Sequence, residues 1–155
     1  MDPCLAKVDG IEYRRGADFT VEAMMAVYAR SGLGARRPMD RPDLFAAMRE
    51  NSGFFITAWA DGRLVGLSRN LTDGVWVCYL ADLLVDAAFQ RRGIGKRLLA
   101  FTMAEVPRAK LVLLAAPGAD DYYRRLGFTP DEHAWTRLDQ GQMDPPSPEE
   151  KRGLE

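Results

Sequence analysis

The sequence predicts an α+β domain with a mixed, mostly antiparallel central sheet and helices on both faces. Three observations carry that expectation. Two turn signals, Asp61-Gly62 and Thr72-Asp73-Gly74, separate three apolar runs in the manner of a meander. A helical repeat opens at Gly93 directly after the third run, and another apolar run, Leu111 to Ala116, follows it. A helix between two such runs crosses over and returns the chain in parallel, by the usual right-handed connection.

The elements follow in order. Ile11 to Arg15 reads as a short first strand. Asp18 is placed to cap a helix over Thr20 to Arg30, with Met24, Val27 and Tyr28 inward, and Ser31-Gly32-Leu33-Gly34 ends it. A basic link, Ala35 to Pro38, leads to a second helix whose first turn holds Pro42 and Asp43 and whose apolar face is Leu44, Phe45 and Met48. Strands are expected at Phe54 to Ala60, Arg63 to Leu71 and Val75 to Val85. Ile94, Leu98 and Phe101 recur at helical spacing over Ile94 to Glu105, and Lys110 to Ala116 is the parallel strand. Ala119, Tyr122, Tyr123 and Leu126 share one helical face, after the turn at Pro117-Gly118, and Gly127 suits the left-handed residue that ends such a helix. His133 to Leu138 is a candidate last strand.

A chain of 155 residues is about one domain, expected here over residues 1–140. The stretch from Gly141 on, with its prolines and charges, has nothing to bury and is expected to be disordered. A net charge of −1 creates no global field for nucleic acid or a membrane surface. Val75 to Val85 is the longest apolar run, and it is too short to span a bilayer and contains Asp82. Cys4 and Cys78 have no metal or redox spacing, Cys78 reading as a small core residue. One histidine, His133, forms no metal cluster, so no metal is expected. Without a signal-peptide pattern at Met1 to Gly10, the expected location is cytoplasmic.

The stretch that carries chemistry is Gln90-Arg91-Arg92-Gly93-Ile94-Gly95. Two glycines between a strand and a helix expose backbone N–H groups at a helix N-terminus, which is an anion site. Arg91, Arg92, Lys96 and Arg97 add positive charge, and a phosphate-bearing ligand follows. Three loop types compete. A Walker loop needs a hydroxyl after its Gly-Lys, and Arg97 stands there; a dinucleotide loop needs a third glycine where Leu98 stands. The pattern Q-x-x-G-x-G/A matches in full. A plain strand–helix turn with surface arginines is the alternative for this loop taken alone.

Together, Gln90 to Gly95 after Tyr79-Leu80-Ala81-Asp82-Leu83-Leu84-Val85, and then Tyr122 to Phe128, resemble the GNAT family of N-acetyltransferases. The resemblance spans roughly Phe54 to Phe128. It implies a sheet splayed between its fourth and fifth strands, acetyl-CoA as donor and an amine as acceptor. It implies that Gln90, Arg91, Arg92, Gly93, Ile94, Gly95 and Lys96 bind the pyrophosphate. The N–H of Leu83 would face the thioester oxygen, while Leu84 and Val85 line the pantetheine, Val85 pairing with it. Tyr123 would give a proton to the departing thiolate, and a phenol, titrating near about 10, carries that proton at neutral pH. The family's glutamate positions hold Tyr79 and Ala81 here, so Asp82 is the remaining candidate for base or substrate contact, with a structural hydrogen bond or a water chain as alternatives. An asparagine common before the tyrosine helix is Ala116 here.

Acceptor specificity is expected from Tyr28 to Arg49, Trp59, Ser68 to Trp76 and His133 to Trp135. Arg30, Arg36, Arg37 and Arg41 suit an acidic or phosphorylated acceptor or a solvated loop, and Trp59, Trp76 and Trp135 an aromatic pocket or the core. The leading expectation is acetyl transfer to a small-molecule amine by direct attack in a ternary complex. A protein lysine or N-terminal acetyltransferase and a catalytically inert acyl-CoA sensor are the alternatives, and a nucleic-acid binder is disfavoured. A homodimer is expected by analogy.

Overall fold

The computed structural model describes residues 3–137. Six strands form one sheet in chain order: β1 (Cys4–Val8), β2 (Ile11–Arg15), β3 (Phe54–Ala60), β4 (Arg63–Thr72), β5 (Val77–Val85) and β6 (Lys110–Val112). Every neighbouring pair is antiparallel except β5 and β6, which are parallel. The helices are α1 (Val21–Ser31), α2 (Pro42–Asn51), α3 (Ile94–Glu105) and α4 (Asp120–Arg125). No described helix is long and apolar enough to cross a membrane.

Alternation along β3 builds two cores. Phe54, Ile56 and Ala58 face one side, where Val65 and Cys78 meet Ile94 and Leu98 of α3. Phe55 and Trp59 face the other, where Leu64, Leu67 and Leu84 meet Met24, Val27 and Tyr28 of α1 and Phe45 of α2. The Ser68 and Thr102 hydroxyls, 2.7 Å apart, tie β4 to α3 inside the first core. Two bulges adjust the alternation of β4 and β5. One inserts Val65 opposite Ala58 and Trp59, and the other inserts Ala81 on β5 between the pairs Asn70–Leu80 and Arg69–Asp82.

Several expectations need correction. β1 was not expected, because none of its residues is fully buried and its pattern carries little signal; with it, the splay lies between the fifth and sixth strands. Thr20, not Asp18, caps α1: its Oγ1 accepts the Ala23 N–H at 3.0 Å. β5 starts two residues late, since Asp73 Oδ1 accepts the N–H groups of Val75, Trp76 and Val77 (2.9, 2.8 and 3.2 Å) and holds them in a loop. β6 is short, its pairing ending at Tyr79–Val112, so that Leu113 to Ala116 leave the sheet. His133 to Arg137 do not form a strand; Leu138 and the stretch from Gly141 lie outside the described residues. Asp61 (φ 49°) and Gly62 (φ 77°) make the expected two-residue hairpin turn.

Candidate active site

The end of β5 is fixed by a carboxylate that the sequence did not single out. The Asp86 N–H donates to the Val65 carbonyl at 2.8 Å. Its buried carboxylate accepts from the Ala88 N–H (2.9 Å), Arg30 Nε (2.6 Å) and Arg63 Nη2 (2.7 Å). Burial alone would raise its pKa; the Ala88 amide and the two guanidiniums outweigh that and hold it below the usual carboxylate range. One side chain thus joins β5, α1, β4 and the turn that enters the loop from Gln90 to Gly93. The signal available in sequence was an acid closing an apolar run.

Beyond Asp86, a short 3-10 turn (Ala87–Phe89) delivers the loop. The Gln90 side-chain amide donates to the Val85 carbonyl at 3.0 Å, so Gln90 braces the loop against the strand end. Arg91 (φ 62°) and Gly93 (φ 77°) reverse the chain, and Gly93 caps α3 with no side-chain hydrogen bond to the helix. The N–H groups of Ile94, Gly95 and Lys96 therefore begin a helix without intrahelical acceptors. Arg91, Arg92 and Lys96 are exposed around them, Arg92 lying 5.1 Å from the Phe89 ring centroid, while the Ile94 side chain is buried in the core. A Cβ on Gly95 would sit 2.9 Å from the Tyr122 hydroxyl and 3.8 Å from Val85 Cγ2, so glycine lets α4 close over the first turn of α3.

Helix α4 is short, and its C-terminus fixes Tyr123. The Phe128 N–H donates to the Tyr123 carbonyl and the Gly127 N–H to that of Arg124, both at 3.0 Å, with Gly127 at φ 88°. This is a Schellman cap, and its apolar contact is the Tyr123–Phe128 edge packing at 5.7 Å. Tyr122 packs edge-on against Tyr123 at 5.2 Å. Burial pushes both phenols up, with Tyr122 adding to the effect at Tyr123.

Where β5 and β6 part, a cavity of about 360 Å³ opens. Leu83 and Tyr123 border it, as do Arg36, Arg37, Tyr79 and Asp82. Amides along a strand point alternately to its two edges. Because the Asp86 N–H reaches β4, Leu84 also faces β4, while Leu83 and Val85 face the open seam. The Val85 carbonyl meets Gln90 on that side. Leu84 contributes a buried side chain to the core of α1 and α2.

Asp82 has a fully buried carboxylate. Tyr28 Oη donates to it at 2.6 Å, Arg69 Nε at 2.6 Å and Arg37 Nε at 3.0 Å, with Arg37 Nη2 completing a two-pronged contact. Burial pushes its pKa up, but the charges of Arg69 and Arg37 and the Tyr28 hydroxyl win and leave it lowered. Burial and the Asp82 charge hold the Tyr28 phenol well above its ordinary range. A carboxylate so held is a weak proton acceptor. Arg69, which the sequence placed only within the Ser68 to Trp76 stretch, belongs to this cluster.

The tryptophans do not line the cavity. Trp59 is in the core, its Nε1 donating to Thr57 Oγ1 at 2.9 Å with Arg14 stacked 4.7 Å from its ring centroid, whereas Trp76 and Trp135 are 79% and 91% exposed. Arg30 is engaged by Asp86 and Arg41 by Asp43. Ala116, from the segment that leaves the sheet, borders the cavity, as does Thr136, which the sequence did not suggest.

The chain is similar in sequence and in overall fold to known proteins. The acetyltransferase (GNAT) domain model matches residues 37–137. Histone acetyltransferase TAP1 of Glycine max is 29% identical over 140 residues, covering 80% of this chain; the chain spans 58% of that relative's length. Among solved structures, a GNAT family acetyltransferase of Streptococcus pneumoniae superposes with a TM-score of 0.67 at 22% identity, covering 83% of this chain and 99% of that one. An aminoglycoside N-acetyltransferase in complex with CoA gives 0.62 at 18% identity, covering 84% and 95%. With a family model matched over most of its length, the chain belongs to the GNAT family of acetyltransferases.

Proposed function

We propose that the chain transfers an acetyl group from acetyl-CoA to a primary amine of a small molecule, by direct attack in a ternary complex. One observation carries this: Leu83, whose amide faces the seam, and Tyr123 border the same cavity, at the point where β5 and β6 separate. A cavity of about 360 Å³ suits a small molecule.

The residues present fit the donor. The uncapped amides of Ile94, Gly95 and Lys96, with the positive end of α3, suit a diphosphate, and Arg91, Arg92 and Lys96 add charge. The free edge of β5 beyond Tyr79 suits an amide-bearing arm laid alongside it. Acetyl-CoA, when bound, supplies the acetyl group as a thioester. The Leu83 N–H would steady the charge that develops on the thioester oxygen. Tyr123, kept protonated by burial, would donate its proton to the leaving sulfur. Asp82, already paired with two guanidiniums, would hold Arg37 in the wall instead of serving as base. Those guanidiniums and Arg36 favour the neutral form of an amine beside them, so its proton can leave to solvent.

Thiol release from acetyl-CoA with a panel of small amines tests this reading. Turnover with some amine, lost or strongly reduced in Tyr123→Phe, supports it; donor binding without release from any amine would favour the inert acyl-CoA sensor. The Glycine max relative named histone acetyltransferase keeps protein lysines as a second reading. A histone peptide in the same panel decides between them, since preferential acetylation of that peptide would displace the small-molecule assignment.

A further inference from the structure

The cavity wall carries more positive charge than its carboxylate can balance. Asp82 is its only acidic lining residue among those described. Both its oxygens are taken, by Tyr28, Arg37 and Arg69. Arg37 is itself immobilised, its Nε and Nη2 on Asp82 and its Nη1 on the Arg36 carbonyl at 2.8 Å. The Arg37 and Arg69 side chains are only 13% and 14% exposed. No oxygen of Asp82 is left for a substrate ammonium.

Arg36 differs from its neighbours. It borders the cavity from the 3-10 turn at Leu33–Arg36, and its guanidinium makes no ion pair or hydrogen bond among the described residues. Arg30, Arg37 and Arg41, the other arginines of this region, are all engaged by carboxylates. An unengaged guanidinium in a cavity wall that also includes Leu33 and Leu80 presents a fork that fits a carboxylate or phosphate with two parallel hydrogen bonds. The donor's diphosphate does not explain it. The anion loop follows Val85, whereas the strand residues that line the cavity with Arg36 are Tyr79 to Leu83, earlier on the same strand.

We propose that the acceptor carries an anionic group, a carboxylate or a phosphate, beside its amine, and that Arg36 receives that group. The proposal rests on the acetyltransferase reading above and narrows its acceptor class. Cationic acceptors such as polyamines, or lysines among basic residues, would place a second positive charge against an excess of guanidinium.

The test uses matched amines: an amino acid, its amide and its decarboxylated amine, and an amino alcohol with its phosphate ester. The full chain should acetylate the anionic member of a set with kcat/KM at least tenfold above the neutral ones, and the gap should narrow with added salt. The carboxylate and phosphate arms identify which anion is read. Arg36→Gln should collapse the preference through the acceptor KM, and Arg36→Lys should restore part of it. Donor affinity, titrated calorimetrically on each variant, reports that the loop and fold are intact. The same amines titrated into the CoA-loaded protein read the preference without turnover. Absent turnover with an anion preference in binding would overturn the enzyme reading and keep the anion site. Equal or better binding of the neutral or cationic members, or a preference unmoved by Arg36→Gln, would overturn the anion site itself.

Discussion

Replacing Asp82 with asparagine keeps the shape of the side chain and one acceptor oxygen but removes the charge. The two guanidiniums around it, 13% and 14% exposed, would then face each other with no counter-ion. Taking one partner from a buried ion pair costs about 3–5 kcal/mol, because the remaining charge stays desolvated. With two arginines and the Tyr28 hydroxyl dependent on one carboxylate, the upper part of that range, about 4–5 kcal/mol, is expected. At a denaturant slope of about 2 kcal/mol/M the urea midpoint should fall by about 2 M, and melting should drop by about 8–20 °C. The pH dependence has a definite sign. A carboxyl whose folded pKa is lowered stabilises the fold above its unfolded value, near about 3.9, and that contribution disappears as pH falls through the folded pKa. The difference between the native chain and Asp82→Asn should be constant from about pH 5 to 8 and close below about pH 4. Urea titrations across that range measure it. A variant within about 1 kcal/mol of the native chain at pH 7, or a difference closing near pH 6–7, would refute the argument. The second outcome would mark a raised carboxyl and return Asp82 to the role of base.

Four further outcomes are expected. Tyr123→Phe should lower kcat by about 10²-fold or more while leaving donor affinity in place, because the proposed role of the phenol is that of an acid and not an anchor; the activity due to Tyr123 should persist to above about pH 10, since burial raises its pKa. Gly95→Ala should weaken acetyl-CoA binding by driving a Cβ against the Tyr122 hydroxyl, and adding Tyr122→Phe should recover part of the loss; calorimetry over the double-mutant cycle reads the coupling. Gly127→Ala, which forces a Cβ into the left-handed region at φ 88°, should cost about 1–2 kcal/mol and reduce kcat by loosening Tyr123. Acetyl-CoA at 100 times its dissociation constant should stabilise the chain by about 2.7 kcal/mol, a rise in melting temperature of about 5–11 °C, and no shift would contradict the donor assignment.

Elements made by local rules were legible along the chain. The strand Phe54–Ala60 and the helix Ile94–Glu105 fall where their apolar periods begin and end, because those periods are set by backbone geometry. Asp61-Gly62 forms its turn because its two residues tolerate positive φ. The turn into α3 was legible for the same reason: glycine spacing at a helix start is a local property. The edge strand Cys4–Val8 was not, since it buries no side chain fully and so leaves no pattern.

The partners of buried charges were decided only in three dimensions. Nothing in the spacing of Tyr28, Arg37, Arg69 and Asp82 tells that they meet, since they come from α1, the link after it, β4 and β5. Their meeting makes Asp82 a counter-ion to two guanidiniums, while Arg36, also on the cavity wall, has no such partner among the described residues. The bulge at Ala81 and the early end of β6 depend likewise on pairing between strands, which is settled by packing against two helical layers. Periodicity and turn chemistry act within a few residues and are written in order along the chain. Charge compensation and strand separation act across the fold, so they take form only when distant segments are brought together.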